Sequence, residues 1–322
     1  MPSRQSSFAV IADKDVAIDR LVRALKAAGA GADVVVESDP ALGIARVHES
    51  PIAVFTTVGL LDDTLATMGR DRWRVFVLND KPEEKAFEVT LSDSRIGGLL
   101  AWGSEGGRAF ELRYLARRLL APNEPPPHMG ALLGWGATTM SFKPKTTTEE
   151  RAVVSRIEIM GRKLGLSGRW ATSLSSAAHE LMMNAIYDAP VDEHGQLKYA
   201  LRRDEDIQLL PQEVPTLWFT LSADFIALDM IDPFGRLPRN RFYEGVLRGH
   251  RNLKYQRNEL DTSHGGAGLG LHTLYTSGSI LRAELQPLKL THVSWVLDRQ
   301  SPKSGFRELP RSLYFLPYRP DR

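Results

Sequence analysis

Glu180 and Asn184 stand one helical turn apart in the segment Ala178-His179-Glu180-Leu181-Met182-Met183-Asn184-Ala185-Ile186-Tyr187-Asp188-Ala189. On a helix, positions four apart share a face, so Asp188 joins the same polar stripe. A carboxylate and an amide so placed could hold a hydrated Mg²⁺ and orient a nucleophile. The segment also reads as the solvated face of an amphipathic helix, with Leu181, Ala185 and Ile186 turned to a core.

Two later segments carry a related chemistry. Asp229-Met230-Ile231-Asp232-Pro233-Phe234-Gly235-Arg236-Leu237 is an apolar strand that ends in an acid, with a glycine soon after. An acid at a strand end can accept a hydrogen bond from an exocyclic amine such as that of adenine, and a glycine lets the backbone turn tightly. The same residues would also serve as an ordinary exit from a strand. His264-Gly265-Gly266-Ala267-Gly268-Leu269-Gly270-Leu271-His272 is glycine-rich and leads into a predicted helix through Leu274. A glycine turn at a helix N-terminus is an anion site. No Gly-Lys-Ser/Thr follows, so the pattern is not a P-loop, and it lacks the strand–helix–strand context of a dinucleotide fingerprint.

In this order the three segments resemble the N, G1 and G2 boxes of the GHKL ATPases, the gyrase, heat-shock-protein-90, histidine-kinase and MutL type. The resemblance covers roughly residues 138–316 and is most specific at Gly266-Ala267-Gly268-Leu269-Gly270-Leu271. It implies a Bergerat-fold α/β sandwich with a mixed sheet, and ATP bound between helices and a lid. It implies Asn184 at Mg²⁺, Asp232 at the adenine amino group with Gly235 beside it, and Gly266, Gly268, Leu269, Gly270 and Leu271 at the phosphates. Asp188 joins this cofactor-binding set. The G1 match is imperfect: where the family shows Asp-x-Gly-x-Gly, Phe234 and Arg236 replace the two glycines and Gly235 is displaced by one place.

Within the family, the layout is similar to the anti-sigma-factor serine kinases. A histidine kinase would carry a long helical hairpin with a phospho-accepting His before its ATPase domain. His128 instead follows three prolines, and His179 lies inside the N box. The resemblance implies Glu180 as catalytic general base toward a serine or threonine of a partner protein, a regulator or antagonist-like substrate. It leaves room for a homodimer. The alternative is an adaptor that binds ATP or ADP without transferring phosphate, or a scaffold that binds no nucleotide. Between the last two boxes, Arg236, Arg239, Arg241, Arg248, Arg251, Lys254 and Arg257 face a single acid, Glu244. That lid reads either as a neutraliser of phosphate or an acidic partner, or as a solvated loop.

The elements that must hold these residues follow from hydrophobic pattern. Over the first 120 residues, short apolar strands alternate with amphipathic helices. Strands are expected at Phe8–Ala12, Asp33–Glu37, Pro51–Thr57, Arg74–Asn79 and Gly98–Trp102, and a helix near 107–120. Such alternation reads as a doubly wound parallel sheet. It resembles a receiver domain or another flavodoxin-like domain. However, Phe55-Thr56-Thr57 ends the third strand where a receiver's phospho-accepting Asp belongs, and no Lys follows the fifth. A pseudo-receiver for docking or dimerisation is the expectation. Ala121-Pro122-Asn123-Glu124-Pro125-Pro126-Pro127-His128 reads as a semi-rigid linker. The expected division is a first domain at 1–121, a Pro/Gly-rich linker at 122–137 and an ATP-binding domain at 138–322. In the last, strands are expected at Thr138–Phe142, Thr216–Leu221, Phe225–Ile231, Ile280–Leu285, His292–Leu297 and Ser312–Leu316. Helices are expected from Thr147 and over Trp170–Tyr187.

Composition sets the outer bounds. The 322 residues are 43% hydrophobic and include no cysteine, with 41 basic against 39 acidic side chains. Without cysteine there is no disulfide framework, thiolate zinc site, iron–sulfur cluster or cysteine nucleophile. The near balance of charge argues against a globally basic nucleic-acid binder. No apolar run approaches the ~20 residues of a membrane span. The run at Phe8–Ala12 is too short for a signal-peptide core. A cytoplasmic signalling protein without a membrane partner is the expectation.

Overall fold

The computed structural model describes residues 7–29, 32–47, 51–69, 74–81, 84–103, 106–134, 136–255, 269–301 and 309–317. The chain forms two compact units. One reaches Pro126 and takes in the last strand through Tyr314; the other runs on from Pro127 and takes in the end of that strand from Phe315.

In the first unit, β1 (Ser7–Ile11), β2 (Asp33–Glu37), β3 (Ala53–Thr57), β4 (Arg74–Asn79) and β5 (Ile96–Ala101) pair in parallel, in the order 2-1-3-4-5. These strands are nearly continuous apolar runs because both faces are covered. The helices between them are α1 (Val16–Ala28), α2 (Pro40–Arg46), α3 (Leu61–Thr67), α4 (Glu84–Ser92) and α5 (Ala109–Leu120). Of these, α1 packs with α5 and α2 with α3. Asp15 caps α1 by accepting from the Ile18 amide, and Asp39 caps α2. Phe8, Phe55 and Phe76 are fully buried, with ring centroids 6.2 and 5.6 Å apart along the row. The order is that of a doubly wound flavodoxin-like sheet. At the end of β3, the Thr56 hydroxyl lies 3.2 Å from that of Thr64. Leu313 and Tyr314 pair antiparallel with Leu99 and Gly98.

The second unit is helix over antiparallel sheet. β6 (Thr138–Phe142), α6 (Thr147–Lys163), α7 (Gly168–Met183), β7 (Thr216–Leu221), β8 (Phe225–Asp232), α8 (Arg239–Tyr255), α9 (Gly270–Ser277), β9 (Ile280–Gln286) and β10 (Leu290–Asp298) follow one another. The strands lie in the order 9-10-8-7-6. Both units are thus α/β. Thr146 caps α6 by accepting from the Glu149 amide. The segment from Pro127, expected as linker, is partly packed on this unit. Met129 is buried and its amide donates to Asp229 Oδ2 at 2.8 Å, while the His128 ring stacks on Trp218 at 4.7 Å.

Alternation along the strands gives the sheet two polar faces. Asp229, His292 and Ser294 lie on one. There, His292 Nε2 and Ser294 Oγ both sit at Asp229 Oδ1, at 2.9 and 2.5 Å. Arg282 donates to Glu284, and all five side chains are buried. Burial holds His292 below its ordinary pKa and Glu284 well above. Met230, Asp232, Thr291 and Val293 lie on the other face, toward α7 and α9. Among the described residues, no helix is long and apolar enough to cross a membrane.

Candidate nucleotide cleft

A cleft of about 610 Å³, counting space open to solvent, lies between the end of α7, the strands β8 and β10, and the starts of α8 and α9. Leu181, Ala185, Met230, Leu237, Leu271 and Val293 give it apolar walls; Asn184, Asp188, Asp232, Thr291, Arg236 and Arg241 supply its polar groups.

Asp232 is buried at the end of β8. The following loop holds it: the Phe234 amide donates to Oδ1 at 2.9 Å, and the Gly235 amide and Thr291 hydroxyl also donate to it. Thr291 stands directly across from Asp232 in the β8–β10 register. Burial outweighs those donors and raises the carboxyl pKa to about 6. Gly235 is required locally. Its φ is +62°, and a Cβ there would strike the Gln286 carbonyl and the Leu288 and Lys289 amides. The two replaced glycines of the G1 pattern therefore leave one indispensable glycine, which turns the loop back under Asp232.

Leaving α7, the chain widens into a π-helical turn at Asn184–Asp188. Such turns recur at functional sites. Asn184 and Asp188 both line the cleft. The Asp188 carboxylate is already engaged, with Arg203 donating to it at 2.6 Å. Leu181 and Ala185 are buried but form cleft wall. Glu180 is half-buried and lies against the first residue of α9, where a Cβ on Gly270 would run into its carboxylate. Burial raises the Glu180 pKa, against the opposing pull of His179 and Arg203. His179 faces away, with Nδ1 2.9 Å from the buried Glu150 of α6. That hydrogen bond raises the imidazole pKa.

Of the glycine turn, Leu269 and Gly270 begin α9 and Leu271 lines the cleft. Gly266 and Gly268 lie outside the described residues. The lid, read in one alternative as a solvated loop, contains a 17-residue helix, α8. Phe242, Tyr243, Val246 and Leu247 bury its apolar face. Sequence reasoning missed Thr291, whose place depends on a register 59 residues away from Asp232, and singled out Arg236 and Arg241 only as members of a basic run.

The lining fits an adenine ring, with a buried acceptor at the end of β8 and apolar walls for a flat heterocycle. It does not form a metal cage. Among the described residues, no group of three acidic or histidine side chains could hold a metal ion. One amide oxygen fits a Mg²⁺ that arrives with phosphates and keeps its waters.

No family model matches the chain, and no curated protein does. Among solved structures, it is similar to a chain in the crystal structure of the SiaB-SiaC complex from Pseudomonas aeruginosa. The identity is 15% and the TM-score 0.31, covering 49% of this chain and 88% of that one. So slight a likeness carries no argument about fold or function.

Proposed function

We propose that the second unit is a GHKL-type ATP-binding domain of a signalling protein, and that it phosphorylates a serine or threonine of a partner protein in the manner of anti-sigma-factor kinases. The observation that carries the nucleotide reading is Asp232, a desolvated carboxylate fixed by three donors in the wall of a largely apolar cleft. An ionised acceptor there accepts from the exocyclic amine of adenine. A guanine presents a carbonyl at the same place, which sets one acceptor against another and offers the acid no further donor.

Asn184 would hold, through its amide oxygen, a Mg²⁺ that arrives with the phosphates, and the ion would neutralise part of their charge. Glu180, beside the start of α9, accepts the proton of the attacking hydroxyl. The phosphoryl group passes to that oxygen and ADP leaves. Burial raises the Glu180 pKa, while the neighbouring His179 and Arg203 pull it down.

A second reading, an adaptor that binds nucleotide without transferring phosphate, is favoured by the G1 loop. Gly235 is wedged against the β9–β10 turn, and Phe234 and Arg236 stand where the family has glycines. Calorimetry with ATP, ADP and GTP tests the binding. ATP is expected to outcompete GTP, and Asp232→Asn to weaken ATP. Equal binding of ATP and GTP would remove the adenine role. Radiolabel transfer onto candidate partners separates kinase from adaptor.

A further inference from the structure

Helix α8 meets α9 through two glycines one turn apart. A Cβ at Gly249 would strike His272, and one at Gly245 would strike Leu271. Going back along α8, the contact thus moves toward the N-terminus of α9. Arg241 lies one further turn back on the same face and lines the cleft.

Among the described residues, neither acid of the cleft is paired with the arginines that line it. Asp188 is paired with Arg203, and Asp232 is held by Phe234, Gly235 and Thr291. Arg236, the other arginine of the cleft, reaches only the Gly195 carbonyl among the described residues, at 3.4 Å. Arg241 is half-buried and has no hydrogen-bond or ion-pair partner among the described residues. The start of α9 adds to the positive field. Leu269 gives it no side-chain cap, and its first turn holds no acid. A guanidinium partly withdrawn from water needs a partner, and its planar fork matches a phosphate bidentately.

We infer that Arg241 is a specificity-determining residue that reads a phosphate of the cleft's ligand, so that the cleft takes adenine nucleotides over adenosine even without a metal. This rests on the adenine reading above and assigns the two ends of the ligand separately, the base to Asp232 and the phosphate to Arg241.

The test is calorimetry on the full chain in EDTA, with adenosine, AMP, ATP and inorganic tripolyphosphate as probes. The wild type is expected to bind AMP and ATP at least about tenfold more tightly than adenosine. Arg241→Gln should lose that preference and weaken tripolyphosphate, with adenosine affinity unchanged. Arg241→Lys should keep part of the preference, which separates lost charge from a damaged fold. If adenosine binds and Asp232→Asn weakens it, while Arg241→Gln keeps the wild-type nucleotide preference, the Arg241 role is overturned and the adenine reading stands. Should tripolyphosphate bind through Arg241 while adenosine does not bind, the adenine reading fails and Arg241 keeps its role as a phosphate reader. A wild type that binds none of the four probes overturns both.

Discussion

The Glu180 carboxylate fills the space that a side chain at Gly270 would need. The general base proposed on α7 and the first residue of α9 are therefore one fitted unit, and the glycine at the end of the G2 pattern has a reason beyond approach to phosphate. Gly270→Ala should leave the fold intact, because the displaced atom is the end of a flexible side chain and alanine favours a helix by up to about 1 kcal/mol over glycine. Turnover should fall all the same, since Glu180 must move. A melting temperature held or raised beside a reduced rate is the expected pair. In a double-mutant cycle with Glu180→Ala, the two losses should not add.

Asp232 should make stability depend on pH in a definite direction. Its folded pKa of about 6 lies above the ordinary 3.8, so the folded state holds the proton more tightly. The favourable term is complete below pH 3.8 and is lost as pH rises through 6, a destabilisation at pH 7 of about 3 kcal/mol. Asp232→Asn should therefore be the more stable protein at pH 7 and lose its advantage toward pH 4. Denaturant titrations of both proteins across that range check this. Adenine nucleotide binding should run oppositely, weakening in the wild type as pH falls through 6.

Gly235→Ala should cost about 2–4 kcal/mol, because φ is positive and the clash is with backbone, which cannot give way as a side chain does. Loss of ATP-dependent stabilisation should accompany it, since the same loop supplies the donors that hold Asp232. A variant of unchanged midpoint would show that the loop can relax away from the β9–β10 turn.

Much of this was legible in the sequence. Asp33–Glu37, Arg74–Asn79 and Thr138–Phe142 read as strands because apolar or β-branched runs at those places have no helical alternative. The start of α8 was hidden by its arginines, although Phe242, Tyr243, Val246 and Leu247 repeat at helical spacing among them. Partnerships made across the chain left no local signal. The capture of Asp188 by Arg203 depends on the irregular segment that follows the π-helical turn. Asp229 read as part of an apolar strand, yet its partners His292 and Ser294 lie on β10. Asp229→Ala should cost about 3–5 kcal/mol, because it leaves His292, Ser294 and the Met129 amide buried without their acceptor.

Glu180→Gln separates chemistry from binding. Glutamine keeps the shape against Gly270 and removes the proton acceptor, so ATP should bind nearly as before. The rate of hydrolysis or transfer at saturating ATP should drop about 10²–10⁴-fold, the usual contribution of a general base. Burial raises the Glu180 pKa, so the wild-type rate should also decline as pH falls toward the upper carboxylate range. That acid limb should vanish in the variant. If Glu180 only orders water at the metal, or pairs with a lid arginine, glutamine would change ATP affinity and leave the saturated rate nearly untouched. A wild type with no measurable turnover on any partner, but with the predicted ATP affinity, would place the protein with the adaptors and leave Glu180 as a spacer between α7 and α9.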